Sequence, residues 1–278
     1  MLWPPDSDIL DSMKSLCILT MVLAVAPLRA GLRVKVEVTD PKTGKVTEQQ
    51  EILLDADRLR VNSSDNSRVF LFLTDGGRDR IVMLDQQRNE YSEIDQQMVN
   101  QATQMMQGMM AQMQAQLANM PPEQRARMEQ MMKGRMGQTG QSAPAVTYTA
   151  KGSSTVNGFP CTRFEGVQGA EKVEDVCAAK PGDVHFSESD FQVFEKMRQF
   201  TKDLINNNSL MRGAGVRTDY FMRWGYEGYP VEVIHYSGGQ PSGDWQVKSI
   251  ERVSLSDADF SLGNAKKRDL IPGRGGRQ

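Results

Sequence analysis

Sulfur is the atom in this chain with the most to offer chemically. Eighteen methionines and three cysteines are present, and eleven of the methionines fall between Gln96 and Met136. Thioethers suit Cu(I), so Met105, Met106, Met109, Met110 and Met113 are a candidate sulfur cluster. No His or Cys lies among them, and one helix face sets thioethers in a line, so the expectation is that these residues hold no metal. Methionine is also unbranched and polarizable, and it repacks around irregular shapes more readily than leucine. That property fits a flexible cover over an apolar ligand. Cys161 and Cys177 enclose fifteen residues and make an even pair for a disulfide if the chain is exported.

Other chemistry is sparse. No nucleophile-elbow or phosphate-cradling glycine motif is present. The two histidines, His185 and His235, are too few and too scattered for a common zinc spacing. The carboxylate pairs Asp55/Asp57 and Asp257/Asp259 sit near strand ends, where turn chemistry is the expected role. Tyr226, Tyr229 and Trp224, around Gly225 and Gly228, fit a strand and turn better than a pocket mouth. No reaction and no cofactor is expected.

The elements that must position these residues are mostly strands. From Gly31, apolar Leu32, Val34, Val36 and Val38 alternate with Arg33, Lys35 and Glu37, the period of a half-buried strand. Asp40-Pro41-Lys42-Thr43-Gly44 makes a turn. Strands follow up to Leu54, then over 58–61, 68–74, 80–84 and 90–94, as in an antiparallel meander. Met98, Ala102, Met105, Met106, Met109, Met113, Leu117 and Met120 then share one helical face. Asp95 caps this helix, and Pro121-Pro122 ends it and opens a second, with Met128, Met131, Met132 and Met136 together. Strands resume through Thr147–Thr149, Thr155–Glu165 and Lys172–Ala178. Ser187-Glu188-Ser189-Asp190 resembles a capping box ahead of a helix whose face carries Phe191, Phe194, Met197, Phe200, Leu204 and Ile205. The last strands are expected over 220–224, 231–236 and 245–255, with Gly238-Gly239 starting the loop between the latter two.

Residues 16–26 form an apolar run too short for a membrane span and of the right length for a signal-peptide core. Residues 1–30 are therefore expected to be a signal peptide cut before Gly31, with the true start possible at Met13. The net charge of −2 implies no basic surface, which argues against a nucleic-acid partner. Residues 263–278, rich in Lys, Arg, Gly and Pro, read as a disordered basic tail.

Together the meander ending in Asn89-Glu90-Tyr91-Ser92-Glu93-Ile94-Asp95, the Met/Gln insert, Val156-Asn157-Gly158-Phe159-Pro160-Cys161, Val173-Glu174-Asp175-Val176-Cys177 and Gly228-Tyr229-Pro230-Val231 resemble the exported bacterial family known as domain of unknown function four-four-one-two. Its architecture is similar to that of LolA/LolB-type lipoprotein carriers. The expected fold is α+β: one domain over 31–262, a curved antiparallel sheet forming an open half-barrel. A Met-rich hairpin (95–137) and a further helix pack on its concave face. The expected function is non-enzymatic binding, in the periplasm or as a secreted protein, of a lipophilic molecule or lipoprotein acyl chain. Met106, Met109, Met113, Leu117, Met128, Met132, Phe191 and Phe194 would line the cavity or its lid. The alternatives are a periplasmic Cu(I)-binding protein or a structural envelope protein without a ligand; the oligomeric state is left open.

Overall fold

The alternation that begins at Leu32 organises the molecule. In a computed structural model, residues 29–64, 67–118, 121, 124, 146–207 and 225–269 are described. Strand β1 (Arg29–Thr39) lies at the centre of a twelve-stranded sheet. On one side it pairs with β2 (Val46–Leu54), and a meander continues through β3 (Arg58–Ser63), β4 (Arg68–Asp75), β5 (Arg78–Asp85) and β6 (Glu90–Asp95). On its other side β1 pairs with β11 (Gln240–Leu255). A second meander runs from there back through β10 (Tyr229–Ser237), β9 (Glu171–Ala179) and β8 (Phe159–Gln168) to the edge strand β7 (Val146–Val156). All these pairings are antiparallel, and the sheet curves without closing.

Register converts the alternation into layers. Leu32, Leu54, Leu59, Phe72, Ile81 and Ile94 stand opposite one another on six successive strands, and all six are buried. They form the floor of the inner face, on which helix α2 (Glu188–Asn207) sets Val193, Phe194, Met197 and Phe200. The opposite parity, Leu53, Val69, Leu71, Leu73, Val82 and Leu84, fills a second layer on the outer face.

The expected capping box of α2 is present in its Asp190 half: Asp190 Oδ2 accepts from the Ser187 backbone N–H and hydroxyl, each at 2.6 Å, while the Asp190 N–H donates to Ser187 O. Arg252 of β11 also donates to Asp190. Lys196 donates to Asp57 Oδ1 at 2.6 Å, tying the middle of α2 to the β2–β3 turn. Asp57 also pairs with Arg29, so the helix, that turn and the start of β1 share one carboxylate. The Lys196 hydrogen bond holds the Asp57 carboxyl below its ordinary pKa, against the opposing effect of burial.

The disulfide joins Cys161 on β8 to Cys177 on β9, with Cα atoms 5.4 Å apart. Both sulfurs lie in the inner core. Asp55 and Asp259 perform the turn chemistry expected of them. Asp55 Oδ1 accepts from the N–H groups of Asp57 and Arg58, and Asp259 Oδ2 accepts from Ser256 N–H.

Three expectations need correction. Asn157-Gly158 is not strand interior but a two-residue turn: both residues have positive φ, 49° and 89°, which the flanking strand twist favours in tight hairpins. Gly238-Gly239 is likewise the whole turn, so β11 begins at Gln240 and spans sixteen residues. The chain over 263–269 is ordered, not a loose tail. Lys266-Lys267 forms β12, parallel to β6, and Lys267 pairs with Glu93 at 3.0 Å. The segment just before it covers the outer layer with Phe260, Leu262 and Ala265, and Arg58 stacks on the Phe260 ring at 4.2 Å. That apolar backing explains how so polar an end is held. The expected strand over 220–224 and residues 1–28 of the expected signal peptide lie outside the described residues, while Arg29 and Ala30, the last two residues assigned to that peptide, pair with Leu255 and Ser254 as the start of β1. No described helix is long and apolar enough to cross a membrane.

Candidate binding site

The candidate site follows from how β6 hands the chain to helix α1 (Gln96–Ala118). Asp95 ends β6, and its Oδ1 accepts from the Met98 N–H at 2.7 Å, the cap expected from the sequence. One turn in, Val99 is buried and Met98 packs against the inner core. Thr103 closes that turn by donating its hydroxyl to Val99 O at 2.9 Å. The base of α1 is thus fixed to β5 and β6.

Beyond Thr103 the apolar face leaves the protein. Met105, Met109 and Met113 are 52, 58 and 37% exposed. The expectation that Met109 and Met113 turn inward over the sheet is therefore corrected. At 1.5 Å per residue the helix runs about 35 Å; it meets β5 and β6, and the residues it sets into the inner core, Met98 and Val99, lie in its first turn. Side chains of Met106 and Leu117 lie outside the described residues, as does the expected second helix with Met128 and Met132.

Phe191 and Phe194 stand in an aromatic cluster on the inner core: Phe186 sits 5.2 Å from Phe191 and 4.7 Å from Tyr229, and Phe194 lies 5.8 Å from Tyr229, centroid to centroid. Burial pushes the Tyr229 hydroxyl well above its ordinary pKa, in keeping with this closed aromatic packing.

Two surfaces flank the site. A cleft of about 620 Å³ opens between α1, the β4–β5 turn and α2, lined by Gln97, Gln101, Gln104, Arg78, Gln199 and Phe200. At 100° per residue its glutamines stand about a third of a turn around α1 from the methionine row, so the cleft is an amide-lined feature separate from it. On the inner face, the register row Val34–Ile52–Val61–Phe70–Met83 passes from fully buried at Val34 and Ile52 to 46% exposed at Met83. Apolar side chains on the inner face thus become exposed toward β5.

Sequence inspection did not bring Tyr148, Glu174 and His235 together, because only register shows that β7, β9 and β10 place them on one face. The Tyr148 hydroxyl donates to the buried Glu174 carboxylate, and His235 Nδ1 lies 3.6 Å from its other oxygen. Tyr226 stands edge-on to Tyr148, with centroids 5.0 Å apart. A buried carboxylate needs such partners to offset its desolvation. Among the described residues no group of three or more His, Cys, Asp or Glu is placed to hold a metal ion.

The chain is similar in structure to an uncharacterized conserved protein from Thermus thermophilus, at 8% identity and TM-score 0.42, covering 86% of this chain and 90% of that one. It is similar to PNGF-II, at 10% identity and TM-score 0.39, covering 87% of this chain and 31% of that one. A chain of the Pseudomonas aeruginosa MucA/MucB complex is also similar, at 12% identity and TM-score 0.29, with coverage of 84% and 56%. Likenesses this distant say nothing of what the chain binds. A search of curated proteins finds no match. The sequence from the end of β5 to the outer-face segment, residues 85–264, matches the family described as Domain of unknown function (DUF4412), and the chain belongs to that family.

Proposed function

We propose that the protein is exported and non-enzymatic, and that it takes a lipophilic molecule, or the acyl chain of a lipidated protein, onto the methionine row of α1. The observation that carries this is a helix locked at its base by Met98 and Val99 while Met105, Met109 and Met113 stand in solvent on the same face. Exposed in water, such side chains bury no apolar area, whereas an apolar ligand would cover them, and methionine adapts to ligands of varied shape. The disulfide between Cys161 and Cys177 supports an oxidising compartment. No catalytic motif in the sequence points to a reaction.

Magnitudes limit what the row does alone. Full burial of a methionine is worth about 1.5–3 kcal/mol, and these three are roughly half exposed, so covering them returns roughly 2–4 kcal/mol. That reaches only about millimolar affinity. Tighter binding needs further apolar surface, and that at Phe70 and Met83 is the nearest in kind.

The test is a fluorescent fatty acid titrated into the parent and into the M105Q/M109Q/M113Q variant. The variant should melt within a few degrees of the parent, since it alters exposed positions, and should bind about thirtyfold more weakly or worse. Equal binding by both, or no binding by the parent, overturns the proposal.

A further inference from the structure

We propose that Met105, Met109 and Met113 form a reversible oxidation site that converts the apolar face of α1 into a polar one. Three observations meet here. These thioethers are 52, 58 and 37% exposed, so an oxidant reaches them without unfolding. Met98, on the same face, is half-buried against the inner core, and Met197, on α2, is 1% exposed, so both are shielded where the row is not; Met83 on β5, 46% exposed, is the one strand methionine among the described residues open to the same oxidant. Met105, Met109 and Met113 lie beyond Met98 and Val99, the α1 residues that join the core, and belong to no core layer, so added polarity there disturbs no layer of the sheet.

The chemistry is a two-electron oxygen transfer. A peroxide gives one oxygen atom to the thioether sulfur, which becomes a sulfoxide, while hydrogen peroxide leaves as water. The return takes two electrons and two protons from a dithiol, which becomes a disulfide, and the sulfoxide oxygen departs as water. Methionine sulfoxide reductases catalyse this return, one enzyme class for each sulfoxide epimer. Sulfoxide is strongly polar, so the row would cease to attract apolar surface. The consequence for ligand release rests on the proposed function; the oxidation site itself does not.

The experiment treats the full chain with limiting hydrogen peroxide and maps each methionine by tandem mass spectrometry. Met105, Met109 and Met113 should oxidise at least about tenfold faster than Met197, which asks for only about 1.4 kcal/mol of protection at the buried site. Met98, within the same tryptic peptide, should lag behind the three. Retention on a hydrophobic-interaction column should fall while the melting temperature holds, and both sulfoxide reductases with a dithiol should restore retention. The M105Q/M109Q/M113Q variant should show a clearly smaller fall, the remainder coming from methionines outside the row such as Met83. Oxidation of Met197 at a comparable rate, unfolding on oxidation, failure of the reductases, or an equal fall in the variant would each overturn the inference. The fatty-acid titration repeated on oxidised protein separates the two ideas. Selective, reversible oxidation with no binding by the parent sinks the proposed function alone. Binding that persists after full oxidation sinks the switch alone.

Discussion

Breaking the Cys161–Cys177 bond measures how much of the β8–β9 half of the sheet depends on a covalent tie. The bond closes a loop whose ends lie 16 residues apart, and in the chain-entropy model that removes about 3 kcal/mol of freedom from the unfolded chain. Reduction alone leaves both sulfurs in place, so it isolates this contribution. The double substitution C161A/C177A also empties two positions packed in the core beneath α2, which adds about 1 kcal/mol for each methyl-sized void. The expected losses are thus about 3 kcal/mol for the reduced protein and about 5 for the variant. With 2–4 °C per kcal/mol at this size, reduction should lower the melting temperature by roughly 6–12 °C. Guanidinium unfolding of oxidised, reduced and C161A/C177A protein gives all three values from one assay. A reduced protein within about 1 kcal/mol of the oxidised one would refute the reasoning. It would mean that the ladder aligning Arg163 with Cys177 already restricts the unfolded chain.

Further outcomes follow from single sites. At Asp190 burial works to raise the carboxyl pKa, but hydrogen bonds from Arg252 and Ser187 outweigh it and hold the group below its ordinary value. A depressed folded pKa contributes stability above the unfolded value, near 4, that is lost as pH falls through the folded one. D190N should therefore cost roughly 1–3 kcal/mol at pH 7, with the gap to the parent closing in melts below about pH 4. G228A should be the costlier of two glycine changes. Gly228 has φ 104° and an added Cβ would meet Ala179 O at 2.5 Å, whereas Gly76 at φ 57° has open space around it, so G76A should cost only about 1 kcal/mol in chemical denaturation. Deleting residues 263–278 should lower stability measurably, because it removes β12, the Ala265 contact and the Lys267–Glu93 pair. An unchanged denaturation midpoint would show that this segment merely rests on the sheet. Titration of Cu(I) against a chelating competitor should find no tight stoichiometric complex, since Met105, Met109 and Met113 succeed one another along one helix instead of converging.

Strand positions were legible from two patterns: period-two alternation in β1, and short apolar runs such as Val69–Leu73 in β4, where both faces are covered. Each member of the row Leu32–Leu54–Leu59–Phe72–Ile81–Ile94 lies within an expected strand. Turns were read less well. Asn157-Gly158 carries the strongest short hairpin signal known, yet the β-prone residues on both sides suggested one continuous strand. The tail misled through composition: Lys266, Lys267 and Arg268 look solvated, and only the neighbouring Leu262 and Ala265 reveal that the segment lies on apolar surface. Tyr148, Glu174 and His235 could not have been joined without knowing that β9 pairs with both β8 and β10.

The two helices make the sharper lesson. Both show apolar residues at helical spacing, and that spacing was read in each as a buried face. For α2 this holds, because Val193, Phe194, Met197 and Phe200 find the inner floor beneath them. For α1 it holds only through Val99, after which the same periodicity continues into solvent at Met105, Met109 and Met113. Periodicity states which side chains share a face; it does not state that a surface exists to receive it. Residue type held the missing information. Where the sheet waits, the chain uses rigid phenylalanine and valine, which specify one packing. Where no sheet waits, it uses methionine among glutamines, side chains that pack adaptably and do not demand a single partner. The change from phenylalanine to methionine between two helices of similar pattern is therefore the feature of the sequence that best separates what the fold consumes from what it leaves for a ligand.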